Sequence, residues 1–294
     1  KRAGGNEEFR RVGLGGPPGG AVPALAGWYG YLPGGGEGAT ETLRDLWADI
    51  AASDPYQRLL NEWVVWGTRL QHGPAPTPSL SPYHLPFSDM GKREFLRVLE
   101  RHVDFDAIPE LATPDCPRLV VGTVDVNAGE FETFTEDTMS AKAILASAAV
   151  PSLFEAVEID GHPHGDALFS QNPPVSDLMD QPPERKPEEL WVIQVNPQEF
   201  EGVPETSEVI ADRRNELSGN ISLNQELGFI EQVNDWIESG KLPADEFTQT
   251  EISRIQMGKR FHCSTKVDRS QTFLDELRDL GHQRAREFLA DRKA

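Results

Sequence analysis

The sequence predicts an α/β fold with a largely parallel central sheet, on three observations. Short runs rich in β-branched residues, at 118–126 and 130–135, stand between segments of helical periodicity. The stretch 190–195 is continuously apolar, as strands covered on both faces are. Beyond 206 the chain is written mainly in polar, amphipathic helical patterns. Strands that alternate with helices are joined by crossovers, and crossovers favour parallel pairing.

Taken in order, residues 1–13 are polar and offer only Phe9 and Val12 to a strand, and a Gly/Pro-rich turn occupies 13–20. A buried helix follows over 21–32, starting near Val22 with Pro23 in its first turn, where the missing N–H costs nothing. Leu43, Leu46, Trp47 and Ile50 recur at helical spacing, and Thr40 or Thr42 can cap that second helix. Between the two, Gly34-Gly35-Gly36-Glu37-Gly38 reads as a flexible connection. The helix over 55–70 carries Leu59, Leu60, Trp63 and Trp66, and Trp63, Trp66 and Trp191 are expected in the core. Pro74, Pro76, Pro78, Pro82 and Pro86 remove too many donors for regular structure, so 73–86 reads as an extended loop.

Helix resumes over 92–102. The strands 118–126 and 130–135 form a hairpin about Asn127, Ala128 and Gly129. A helix over 140–149 ends at Pro151, a strand and loop occupy 156–168, and the last helix spans 273–292. This divides the chain into an α/β part, 1–200, and a mainly helical extension, 201–294, packed on the same domain.

Forty-eight acids against 28 bases give a net charge of −20. Such a field repels phosphate, which excludes a nucleic-acid backbone as partner and leaves membrane contact at most peripheral. Arginine outnumbers lysine and the acids are spread throughout, which suits a salty cytosol where a Debye length of about 3 Å at 1 M screens self-repulsion. Cys116 and Cys263 show neither disulfide nor zinc spacing, and a reducing, cytoplasmic setting is expected.

The chemistry is concentrated in 139–175, which reads MSAKAILASAAVPSLF, EAVEIDGHPH and GDALFSQNPPV. This series resembles the distal block of the patatin-like lipid acyl hydrolases, where an ASAAxPxLF segment leads through a strand to an Asp-Gly box and an NPP turn. The resemblance makes Asp166 the general base, with Ala167 where the family has glycine. In that family the aspartate takes the serine proton directly, a Ser/Asp dyad on a three-layer fold related to the α/β hydrolases. Without the flanking blocks Asp166 would read as a turn aspartate ahead of Leu168. His162 and His164 alternate as metal ligands could, but the turn leading to Asp166 explains them better.

The second block, Gly16-Pro17-Pro18-Gly19-Gly20-Ala21-Val22, resembles the family's GTSGGA nucleophile motif with proline for both threonine and serine. Pro18 occupies the nucleophile position. It has no hydroxyl, and its φ is locked near −65°, which removes the strained elbow as well. The family's GGGxKG oxyanion loop precedes the elbow by about a strand and a helix, yet only 17 residues precede Pro18, so the first strand and this loop are expected to be missing. Gly34–Gly38 imitates the loop's composition in the wrong place.

The resemblance implies a lipid or acyl-ester substrate, hydrolysis of phospholipase A or esterase type, and neither cofactor nor metal. Two functions stay open for a chain altered in this way. One is a lipid acyl hydrolase, inactive as written. The other is a non-catalytic lipid-binding or protein-interaction pseudoenzyme.

Overall fold

A computed structural model describes residues 10–16, 19–71, 81–84, 88–151, 154–167, 174–182 and 185–292. The first described strand, β1 (Gly13–Gly16), pairs in parallel with β2 (Arg118–Asp125). It lies where the sequence suggests a turn. Glycine has poor strand propensity, but these glycines permit close approach, since a Cβ on Gly13 would stand 2.5 Å from Leu178 Cδ1.

Strand β3 (Glu130–Thr135) runs antiparallel to β2, as the hairpin reading requires. Strands β4 (Val157–Ile159) and β5 (His162–Gly165) form a second hairpin, turned through Asp160 at φ 50° and Gly161 at φ 84°, the Asp-Gly pair that such two-residue turns favour. Strand β5 in turn pairs antiparallel with β2. The expectation of a largely parallel sheet is therefore corrected: among the described strands of this sheet, only β1 and β2 run parallel. The reason is local, because a tight hairpin forces its two strands to oppose.

A second sheet holds β6 (Glu189–Gln194) and β7 (Glu251–Gln256), parallel and joined across α7 (Ser207–Glu238). Strand β7 interrupts the segment read as helical. Strand β6 is covered on one face only, with Leu190 and Val192 buried and Ile193 76% exposed, so its unbroken apolar run misstates its surroundings.

The remaining helices are α1 (Ala21–Ile50), α2 (Pro55–Gln71), α3 (Ser88–His102), α4 (Ile108–Leu111), α5 (Ala141–Ser147), α6 (Val175–Met179) and α8 (Gln271–Asp291). Pro23 falls in the first turn of α1, as expected. That helix breaks at Gly35, at φ 57° and ψ −145°, and folds back so closely that a Cβ on Gly30 would meet the Gly38 carbonyl oxygen at 2.4 Å. Thr40 does not cap the second half; its hydroxyl donates to the Gly36 carbonyl at 2.9 Å, one turn inside.

Leu25 and Trp28 of α1, Leu99 of α3, Ile144 of α5 and Leu119 and Val121 of β2 share one core. Each such side chain contributes about 1.5–3 kcal/mol by leaving water. Leu190 and Val192 of β6 form a second cluster with Leu223, Leu227 and Ile230 of α7 and Val175 of α6.

Trp63 and Trp66 are not in the core: they are 66% and 56% exposed, and Trp191 is only partly covered. The inner face of α2 is Asn61, Val65 and Thr68, held against the turn Cys263–Val267 and the residues after it. Asn61 Nδ2 donates to Asp268 Oδ1 at 3.0 Å and its Oδ1 accepts the Arg269 N–H at 2.8 Å, while Arg69 Nε donates to Ser264 Oγ at 3.1 Å. Periodicity predicts a stripe of tryptophan; the polar clamp decides that it points outward.

Candidate functional site

Strand β2 positions the site through its two edges. Strand β3 covers one edge along Val120 to Asp125. Strand β1 pairs from Gly13 opposite Arg118 to Gly16 opposite Val121, and β5 places Gly165 opposite Val124 and His164 opposite Asp125. With β3 on the first edge, β1 and β5 both occupy the second, one parallel to β2 and the other antiparallel. Their C-terminal ends thus run toward each other and stop on either side of Gly122 and Thr123. From Val121 to Val124 is about 10 Å at ~3.3 Å per residue.

On the β1 side the chain turns at once. A Cβ on Gly16 would stand 2.3 Å from the Gly20 carbonyl oxygen and 2.6 Å from the Ala21 nitrogen, both backbone atoms that cannot move aside. Glycine at Gly16 is what lets the strand pass into α1, whose Ala24 N–H already bonds to the Gly20 carbonyl at 2.9 Å. Pro17 and Pro18 themselves lie outside the described residues.

On the β5 side the next residue is Asp166, 3% exposed. Its N–H donates to the Ala149 carbonyl at 3.1 Å, at the end of the ASAA segment. Helix α5 ends within that segment; it is begun by Ser140, whose Oγ accepts the Ala143 N–H at 3.2 Å, and is tied to β2 by Ser147 Oγ donating to the Gly122 carbonyl at 2.8 Å. Ser147 thus ties the end of α5 to Gly122, and Ala149 two residues later holds the backbone of Asp166. Asn172 and Pro173 of the NPP turn, and Ser152 and Leu153 before β4, lie outside the described residues.

The histidines beside Asp166 are engaged with carboxylates. His162 Nδ1 lies 2.9 Å from Asp125 Oδ2, and buried His164 places Nε2 2.6 Å from Glu132 Oε2 and donates from Nδ1 to the His162 carbonyl at 2.9 Å. The Ala128 N–H holds the Asp125 carboxyl below the usual range, against the opposing pull of burial and with help from the Asn127 N–H and His162. On α6, burial pushes Asp177 up while nearby Arg118 draws it down. Burial likewise raises the Cys116 thiol, which favours an inert sulfhydryl. Among the described residues no group of three or more His, Cys, Asp or Glu is placed to hold a metal ion.

One hollow of about 440 Å³ lies at the bend of α1 beside Arg101 and His102, and another of about 370 Å³ lies beside Ser140, Glu132 and Thr133, the last two paired with Thr123 and Gly122. Asp166 lines neither.

Sequence reasoning picked out Asp166 and the Gly16–Gly20 block but not Gly122 or Thr123. A signal existed for the former: an isolated glycine within a strand pattern marks close approach, and a Cβ on Gly122 would lie 2.7 Å from the Phe131 ring. No protein-family model matches the chain, and no curated protein matches it. No helix among the described residues is long and apolar enough to cross a membrane.

Proposed function

We propose that the chain is a relative of the patatin-like lipid acyl hydrolases that keeps the framework of a Ser/Asp ester-cleaving site without its nucleophile. One observation carries this reading: the ends of β1 and β5 converge on Gly122 and Thr123 along one edge of β2. That brings the glycine turn after Gly16 toward Asp166 from the opposite direction, although about 150 residues separate them in the chain. A serine dyad needs this arrangement, with a hydroxyl at a sharp strand-to-helix turn and a base within reach of its proton. Gly16 against Gly20 supports such a turn independently.

In this reading the fold is the three-layer patatin type, the ligand is a lipid or acyl ester, and the setting is cytoplasmic. Pro18 holds the position of the attacking oxygen and supplies neither a hydroxyl nor a positive φ. Asp166 then has no serine proton to accept, and the site keeps its framework without a reaction.

A fluorophosphonate probe read by intact mass tests this directly. The chain is expected to take up no adduct and to leave a short-chain nitrophenyl ester uncleaved. Stoichiometric labelling would overturn the reading and identify another nucleophile.

A further inference from the structure

We propose that the outward face of α2 docks on a zwitterionic lipid–water interface. The inference rests on the lipid reading above and assigns the surface that would bring the protein to its ligand. Tyr56, Leu59, Trp63 and Trp66 recur at intervals of three and four, so they form one stripe along the helix, and each is more than half exposed. The stripe spans about 15 Å at 1.5 Å per residue. Trp63 and Trp66 stack edge to face with ring centroids 6.1 Å apart.

The opposite face is fixed by the Asn61, Asp268 and Arg269 clamp, so the rings stand on a held support rather than on a loose helix. Exposed apolar stripes of this size mark interaction surfaces. Tryptophan and tyrosine, with an apolar body and a polar edge, are the residues that settle at the headgroup level of a bilayer. A convex ridge of bulky rings suits a deformable phase.

Charge decides the occupant. Among the 17 residues of α2, Glu62 is the one acid, against Arg58 and Arg69, in a chain whose net charge is −20. The helix itself is therefore sparse in acid, although Asp54 caps its first turn beside Tyr56. A second copy brings the same −20 and is repelled, as is an anionic membrane, whereas a phosphatidylcholine surface carries no net charge to oppose approach.

The test is partition of the full chain onto phosphatidylcholine and phosphatidylglycerol vesicles by sedimentation, beside sedimentation velocity of the protein alone. Partition onto phosphatidylcholine is expected, stronger than onto phosphatidylglycerol. It should fall at least about tenfold in the Trp63→Ser, Trp66→Ser double variant, with an unchanged circular dichroism spectrum. Should that variant fail to fold, Tyr56→Ser at the far end of the stripe is expected to weaken partition about threefold. No partition, partition unaffected by the substitutions, preference for the anionic vesicles, or a dimer dissolved by the substitutions would each overturn the proposal. Vesicle binding is read without ester cleavage. Fluorophosphonate labelling therefore counts against the preceding reading alone, and absent partition against this one alone.

Discussion

Trp28 in the first half of α1 and the two tryptophans of α2 are used in opposite ways. In α1, Trp28 is fully buried, and its Nε1 donates to the Pro117 carbonyl at 2.5 Å, tying the helix to the start of β2. In α2, Trp63 and Trp66 face water, and the helix is held instead by amide, guanidinium and carboxylate contacts with residues some 200 positions later. Both helices are amphipathic in sequence. What separates them is the neighbour each one meets: α1 follows a strand and packs on the sheet, while α2 meets a polar turn. The first helix belongs to the framework of the site, and the second carries a surface.

The difference can be broken by substitution. Trp28→Ala removes a fully buried ring and orphans the Pro117 carbonyl, and is expected to cost about 3–5 kcal/mol of unfolding free energy, read as a fall in the urea midpoint. Gly16→Ala sets a Cβ against the Gly20–Ala21 backbone and is expected to cost about 2–3 kcal/mol. A cost near zero would remove the tight turn on which the site's framework depends.

The α2 clamp responds to acid. Burial raises the Asp268 carboxyl, but the Asn61 amide, the Ser270 donors and the charge of Arg69 outweigh it and hold it below the usual carboxylate range. A depressed folded-state value means that the stabilisation is present above the ordinary value and is lost as pH falls through the depressed one. Thermal stability should therefore fall on acidification below the carboxylate range, and more shallowly in Asp268→Asn; equal slopes would dissociate the clamp from this carboxylate. The smallest effect is expected at Trp63→Ala, within about 0.5 kcal/mol, as for other exposed side chains.

Part of the local structure was legible in the sequence, since tight hairpins and helix starts depend on neighbours in the chain, although Thr40 proved not to be a cap. The Pro23 start, the break at Gly35 and the Asn127–Gly129 turn follow from proline and glycine chemistry. Pairing partners were not legible, because three of the four residues of β1 are glycine and its strand character comes from β2, more than 100 residues later. Nor was the direction in which an apolar stripe points, as α2 and the half-covered β6 show. Asp166 was singled out through the resemblance of its flanking blocks, whereas the convergence of β1 and β5 on Gly122 and Thr123 depends on register, which a single sequence does not encode locally.

That convergence is the central claim, and cross-strand amide and α-proton nuclear Overhauser contacts in the protonated protein test it most directly. Gly16 is expected to show parallel-pair contacts to Val121, and Gly165 antiparallel-pair contacts to Val124, with β3 contacts confined to the other edge of β2. Contacts placing β1 and β5 on opposite edges, or pairing Gly16 away from Val121, would contradict the convergence and leave Asp166 without a facing turn.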